Sequence, residues 1–255
     1  DIVTNFDDAR DVHVADMDGA GDLDIVAIDR NLNGRVTWYE NDGAADPSWT
    51  AANITTSGVD AGESVFVADM DSDGDLDIVS ASSTDDTIAW YENDGAATWT
   101  PAFTAADIAT SAHAYAFAYD VHVADMDGDG DLDIVSASGI DNTIYWYENN
   151  GAADPSWEAA DIATSTDPAQ DVHVADMDGD GDLDIVSASN TDDTIAWYEN
   201  DGNANPSWTA ADIATSADAP YGVHVADMDG DGDLDIVSAS QNDDTIAWYE
   251  NDGAA

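Results

Sequence analysis

Apolar and polar positions alternate along the chain in short runs that never lengthen into a helical period. Between Asp171 and Thr215 four such runs can be read: Val172-His-Val-Ala175, Leu183-Asp-Ile-Val-Ser187, Thr194-Ile-Ala-Trp-Tyr-Glu199 and Ser207-Trp-Thr-Ala-Ala-Asp-Ile-Ala-Thr215. They are rich in β-branched and aromatic residues. Polar turns bound them, at Asn190 to Asp193 and at Asn200-Asp-Gly-Asn-Ala-Asn-Pro206. Short runs of this composition between Asn, Asp, Gly and Pro predict strands joined by tight turns. The pattern therefore predicts an all-β chain.

The same unit recurs. Its acidic stretch, Asp125-Met-Asp-Gly-Asp-Gly-Asp-Leu-Asp133 in the third copy, starts at Asp16, Asp69, Asp125, Asp176 and Asp227, with separations of 53, 56, 51 and 51 residues. Trp38, Trp90, Trp146, Trp197 and Trp248 of a Trp-Tyr-Glu motif follow in step. Four antiparallel strands at this period describe one blade of a β-propeller. The prediction is a single five-bladed propeller over residues 1–255, with blades at 11–59, 60–119, 120–169, 170–220 and 221–255. Asp1-Ile-Val-Thr4 lies fifteen residues before Asp16, as Asp212-Ile-Ala-Thr215 lies fifteen before Asp227. Residues 1–10 are therefore expected to supply the missing fourth strand of the last blade, closing the ring and removing an exposed edge.

Alternate carboxylates around glycines are how a loop makes an oxygen cage for a hard cation. Calcium takes six to eight oxygens at about 2.3 to 2.6 Å, and side chains at loop positions 1, 3 and 5 converge only if the chain bends sharply, which glycine at position 6 permits. An EF-hand would need a bidentate Glu at position 12 and flanking helices. Here position 12 of the third loop is Ser136, inside a predicted strand. The calcium-binding β-helix repeats every nine residues, far shorter than this period.

Val-His-Val-Ala-Asp-Met-Asp-Gly-Asp-Gly-Asp-Leu-Asp-Ile-Val and Ile-Ala-Trp-Tyr-Glu-Asn-Asp-Gly resemble the FG-GAP or VCBS repeats, the calcium-loop propellers that include the integrin α-subunit head and many bacterial surface proteins. The resemblance covers essentially the whole chain. It implies calcium ligation by the side chains at loop positions 1, 3, 5 and 9 and by the backbone carbonyl at position 7. The implied sites are Asp16, Asp18, Asp22 and Asp24; Asp69, Asp71, Asp73, Asp75 and Asp77; Asp125, Asp127, Asp129, Asp131 and Asp133; Asp176, Asp178, Asp180, Asp182 and Asp184; and Asp227, Asp229, Asp231, Asp233 and Asp235. Ala20 stands at position 5 of the first loop, so that site is expected to bind most weakly of up to five calcium ions.

The net charge is −54, with no lysine and with arginine only at Arg10, Arg30 and Arg35. Such a surface excludes nucleic acid and direct contact with anionic lipid, since both rely on Lys and Arg. The loops hold 24 of the carboxylates, so calcium explains part of the acidity, and solubility at high salt fits the rest. Cysteine is absent, which removes disulfide and thiol chemistry. Loops of this type fill readily at extracellular calcium levels, favouring a secreted or surface location. The chain shows no signal peptide and no long apolar span, and it reads as a module of a larger protein.

His13, His122, His173 and His224 share one position in the first strand, where the second repeat has Phe66. Packing between blades explains a residue replaceable by Phe; a metal or proton site is the other reading. The tryptophans read as core between blades or as shelves for stacking sugars. Near-identical units argue against one embedded active site, and no catalytic constellation is found. Asymmetry enters at Pro101-Ala-Phe-Thr104 and at the loop Ser111 to Tyr119, where Tyr115, Phe117 and Tyr119 form either a partner-binding spot or a local packing insertion. The expected function is a calcium-binding extracellular adhesion or protein-interaction module, monomeric or part of a longer chain; the alternative is a multivalent lectin binding sugars between blades.

Overall fold

The structure is a computed structural model that describes residues 2–4, 6–55, 59–95, 103–110, 117–139, 143–163 and 168–253. Every regular element among them is a strand. Sheet one holds β1 (Ala9–Ala15), β2 (Asp24–Asp29), β3 (Val36–Asn41) and β4 (Trp49–Thr55). Sheet two holds β5 (Gly62–Ala68), β6 (Asp77–Ser82), β7 (Thr87–Asn93) and β8 (Phe103–Thr110). Sheet three holds β9 (Ala118–Ala124), β10 (Asp133–Ser138), β11 (Ile144–Asn149) and β12 (Trp157–Ala163). Sheet four holds β13 (Ala169–Ala175), β14 (Asp184–Ser189), β15 (Thr194–Asn200) and β16 (Trp208–Ala214). Sheet five holds β17 (Pro220–Ala226), β18 (Asp235–Ser240) and β19 (Thr245–Tyr249). Within each sheet the strands lie in chain order. Packing divides the chain into two compact units, Asp1–Val121 with Ala152–Asp154 and His122–Gly151 with Pro155–Ala255.

Alternation along each strand gives a sheet two apolar faces, and successive sheets within a unit meet back to front. In the first unit Met17, Val26, Ile28 and Trp38 from the back of sheet one pack on Val65, Val67, Ile78 and Tyr91 from the front of sheet two. In the second unit Met126, Val135, Ile144 and Trp146 meet Val172, Val174, Ile185 and Tyr198. Met177, Val186, Ile195 and Trp197 then meet Val223, Val225, Ile236 and Tyr249. Trp38, Trp146 and Trp197 are therefore core between sheets, the first of the two readings, and Trp90 is buried as well, whereas Trp248 on sheet five is half-exposed. Each buried aliphatic chain of this kind stabilises the fold by about 1.5 to 3 kcal/mol.

Polar fasteners fix the same register. The N–H of Val65 donates to Asp11 Oδ2 at 2.9 Å, and the N–H of Val223 donates to Asp171 Oδ2 at 2.6 Å. The arginines are spent on the first unit. Arg10 Nε and Arg30 Nε reach the buried Glu63 carboxylate at 2.7 and 2.9 Å, and Arg35 Nε reaches Asp29 at 3.1 Å.

The predicted closing strand is not formed among the described residues. Ile2, Val3 and Thr4 carry no strand, and sheet five has three strands. In sheet four the corresponding edge is held by β16, which pairs Ala214, Asp212, Ala211, Ala210, Thr209 and Trp208 with β15. The first sheet is instead capped locally: Phe6 packs edge-on against Tyr39 at 6.1 Å, and Arg35 lies 4.8 Å over the Phe6 ring.

Candidate metal centres

Each acidic loop links the first strand of a sheet to the second. The residue before loop position 1 pairs with position 9, as in Ala15↔Asp24, Ala68↔Asp77, Ala175↔Asp184 and Ala226↔Asp235, so the ladder closes the loop's base. The bend at position 6 is left-handed at Gly21, Gly74, Gly130, Gly181 and Gly232, with φ between 93° and 104°. A side chain there would be strained, which is the reason glycine recurs at that position.

The loop backbone orients the carboxylates before any ion arrives. Position 1 accepts the N–H of position 6: Gly130 donates to Asp125 Oδ2 at 3.1 Å and Gly74 to Asp69 Oδ2 at 3.1 Å. Position 3 accepts the N–H of position 5, as from Asp129 to Asp127 Oδ1 at 3.2 Å. Position 5 accepts the N–H of position 7, as from Asp131 to Asp129 Oδ1 at 3.0 Å. The other loops repeat these bonds, at Asp16, Asp18, Asp71, Asp73, Asp176, Asp178, Asp180, Asp227, Asp229 and Asp231. In the first and third loops the other position-1 oxygen, Oδ1 of Asp16 and of Asp125, has no donor, whereas Oδ1 of Asp69, Asp176 and Asp227 also accepts a loop N–H, from Asp73, Gly179 and Gly230.

Position 9 is a strut. Asp133 Oδ2 accepts from Met126 N–H at 3.0 Å and its Oδ1 from Asn149 N–H at 2.8 Å, tying the loop to the end of the third strand. Asp24, Asp77, Asp184 and Asp235 make the same pair of bonds. Burial pushes the carboxyls of Asp77 and Asp133 up to about 7 and that of Asp184 up to about 6, with the donated N–H groups pulling the other way. Asp24 is also raised by burial, whereas Asp235, in the last sheet, is lowered chiefly by the Asn251 N–H. Desolvation also raises Asp71, Asp127 and Asp229. A cation would relieve this cost, because it favours the charged form of each group.

Four loops bring three carboxylates to one point, with ligand oxygens within 4.8 Å of one another. The sets are Asp69, Asp71 and Asp77; Asp125, Asp127 and Asp133; Asp176, Asp178 and Asp180; and Asp227, Asp229 and Asp235. Among the described residues the first loop, with Ala20 at position 5, makes no such set. The donors fit a hard divalent ion: all are oxygens, and Asp125 Oδ1 is buried without a hydrogen-bond partner, as is Asp16 Oδ1. Asp125, Asp127, Asp129 and Asp133 with the Asp131 carbonyl would hold calcium in the third loop, and the matching residues would do so in the others.

The position-7 carboxylates turn away from the cage. Asp22, Asp75, Asp131, Asp182 and Asp233 lie against Gly43, Gly95, Gly151, Gly202 and Gly253, where any Cβ would collide with them. These glycines end an Asn-Asp-Gly turn, Asn149-Asn150-Gly151 in the third repeat, and donate to the turn's own asparagine, as Gly151 does to Asn149 Oδ1 at 3.0 Å. The Glu of the Trp-Tyr-Glu motif also borders the loop. Burial, together with Asp127, Glu158 and Asp129, raises Glu148, and burial with Asp18, Asp24 and Asp22 raises Glu40, whose Oε2 is buried and unpartnered. Sequence reading missed both features, although the Trp-Tyr-Glu-Asn-x-Gly run keeps step with the loops.

The loop-strand histidines lie side by side. His122 and His173 are 5.4 Å apart, His173 and His224 4.8 Å, and His13 packs on Phe66 at 4.6 Å. Burial, then His224, pushes His173 down to about 4. Of the three aromatics named on the insertion, Tyr115 lies outside the described residues. Phe117 stacks on Tyr119 at 6.4 Å and its N–H donates to Asp86 Oδ1 at 3.0 Å, which ties this end of the insertion to sheet two.

No curated protein matches the chain. Solved structures do, 108 chains in all, which marks a widely used fold. One of them is described as the structural basis of specific recognition of non-reducing terminal N-acetylglucosamine by an Agrocybe aegerita lectin. It matches with a TM-score of 0.61 at 22% identity, over 95% of this chain and 66% of that one. At that identity the likeness shows the fold alone, and this chain spans just under two thirds of the lectin chain's length. The sequence profile described as FG-GAP-like repeat matches residues 16–80, 69–136, 125–187 and 176–238, each match running from one acidic loop into the next. With matches spanning residues 16 to 238 and a cage recurring in the same register, the chain belongs to the FG-GAP-like repeat family.

Proposed function

We propose that the five sheets are the blades of a propeller whose loops bind calcium, and that calcium rigidifies a secreted or surface-exposed module for adhesion or protein interaction. The observation that carries this reading is the third loop, where Asp125, Asp127 and Asp133 converge and Asp125 Oδ1 is buried with no donor. Leaving a buried charged oxygen unsatisfied costs at least about 1 to 3 kcal/mol, which a bound cation would offset. The acidic surface keeps the module soluble and away from nucleic acid. The test is thermal melting of the chain in calcium against excess chelator. A large loss of stability on chelation supports the reading, and coincident melts in the two conditions refute it.

A second reading, a glycan-binding propeller, is favoured by the likeness to the lectin and by a cleft of about 450 Å³ between sheets four and five. Trp197, Tyr249, Glu199, Glu250 and Asn251 line it, combining aromatic faces with hydrogen-bonding groups. That combination, at this volume, suits a small sugar. Binding of the calcium-loaded chain to an array of terminal sugars, lost in Glu250→Gln with the melt unchanged, would establish it; an array without signal would remove it.

A further inference from the structure

The acidic loops of the second unit are joined to one another through asparagines at the ends of the third strands. Asn200 donates from Nδ2 to the Met126 carbonyl at 2.9 Å and to the Leu183 carbonyl at 3.0 Å, while its own N–H donates to Asp184 Oδ1 at 2.8 Å. Met126 is position 2 of the third loop, between Asp125 and Asp127, and Leu183 and Asp184 are positions 8 and 9 of the fourth. One residue thus clamps two candidate calcium loops. The next sheet repeats the clamp: Asn251 Nδ2 donates to the Met177 carbonyl at 3.0 Å and to the Leu234 carbonyl at 3.2 Å, and the Asn251 N–H donates to Asp235 Oδ1 at 2.8 Å. The two clamps meet, because the Met177 N–H donates to Asp184 Oδ2 at 3.1 Å. A continuous path therefore runs from Met126 through Asn200, Asp184, Met177 and Asn251 to Asp235. In the first unit the equivalent Asn93 donates from Nδ2 to the Leu76 carbonyl of its own loop at 3.1 Å and, among the described residues, makes no hydrogen bond to the first loop.

We infer that calcium binding in the third, fourth and fifth loops is cooperative, with Asn200 and Asn251 as the positioning residues that transmit it. The inference rests on the calcium reading above. Like charges within one loop repel, so each loop has a loose state and a state ordered around a cation. Ordering of the third loop fixes Met126, which stands between two ligands, and the clamp then holds Asp184 in place in the fourth. Part of the ordering that the fourth site needs is thereby done beforehand, and its ion binds more tightly. The effect is reciprocal, since coupled sites change each other's affinity by the same factor. Asn200 and Met126 are both buried, so water does not replace their bond when it is lost.

Calcium titration of the whole chain, followed by NMR at the N–H groups of Gly130, Gly181 and Gly232, reads the three loops separately, because each group donates to position 1 of its own loop. Asp127→Asn, which disables the third site, should move the Gly181 midpoint to calcium at least about fivefold higher, the low end of coupling between sites. Asp71→Asn makes the same change of charge in the second loop, where no clamp reaches the first, so the smaller shift at Gly21 measures charge alone. Asn200→Ser keeps an acceptor for the Gly202 N–H and is too short to reach Met126. In that background Asp127→Asn should move Gly181 no further than charge does. Asn251→Ser should spare the shift at Gly181 and abolish it at Gly232, a selective loss that general weakening of the fold does not produce. The inference is overturned if Asp127→Asn moves Gly181 no further than Asp71→Asn moves Gly21. It is equally overturned if the Gly181 shift persists in Asn200→Ser, or the Gly232 shift in Asn251→Ser. Those results leave calcium binding itself in place, whereas glycines that never respond to calcium overturn the calcium reading and the coupling together.

Discussion

At Gly151 the backbone is left-handed, with φ at 64°, and the Asp131 carboxylate fills the space a Cβ would need. Gly151→Ala should therefore cost at least about 1 kcal/mol in unfolding free energy from backbone strain alone, and it should weaken the third calcium site by moving Asp131. Chemical denaturation in calcium checks the first effect. His173 gives a pH effect with a definite sign. Its folded value is near 4 and its ordinary value 6.5, so the unfolded chain takes up the proton first. The stability due to keeping the ring neutral is present above about pH 6.5 and is lost as pH falls from 6.5 towards 4. The buried carboxyls of Asp77 and Asp133 act in the opposite sense over that range. The readout is therefore a difference: from pH 7 to pH 5, the wild type should lose more melting temperature than His173→Phe, the side chain that Phe66 already places there. The loop aspartates were legible in the sequence because their ligands sit two residues apart. The seats at Gly43 and Gly151 and the bordering Glu148 were not, since each lies about twenty residues from its partner and only pairing of the second and third strands unites them.

A strand's pairing partners decided the one element that departs from expectation. The repeat arithmetic set residues 1–4 against Asp212 to Thr215, but arithmetic counts positions and a ladder needs pairs. Ile2 to Thr4 carry no strand, and the chain that follows serves sheet one through Phe6, which packs on Tyr39. Phe6→Ala should uncover Tyr39 and lose the ring contact and its cation partner, lowering stability by about 1 kcal/mol. Trimming Ile2 to Thr4 should change the melt little. If the trim costs as much as Phe6→Ala, the first residues pair in a way the sheets described here do not include. The four-stranded unit itself was readable from alternation and turn chemistry, since Ser207 to Thr215 in the sequence became β16, Trp208–Ala214. Which face of each strand meets which neighbour was not readable, because both faces are apolar.

At the scale of the whole molecule, the acidic loops define how its 57 acidic residues are tolerated by a fold with three cations. Four converged sets, beside a first loop that has Ala20 at position 5, underlie the central proposal that calcium completes this structure. At calcium tenfold above a site's dissociation constant, each site adds about 1.4 kcal/mol by mass action, so several filled sites together rival the whole stability of an ordinary domain. The decisive measurement is calorimetric titration of chelator-stripped protein with calcium, carried out on the wild type and on Ala20→Asp. The account predicts four tight equivalents and a weaker fifth in the wild type, and five tight equivalents in the variant. No heat of binding in either protein, or identical stoichiometry and affinity in both, would contradict it.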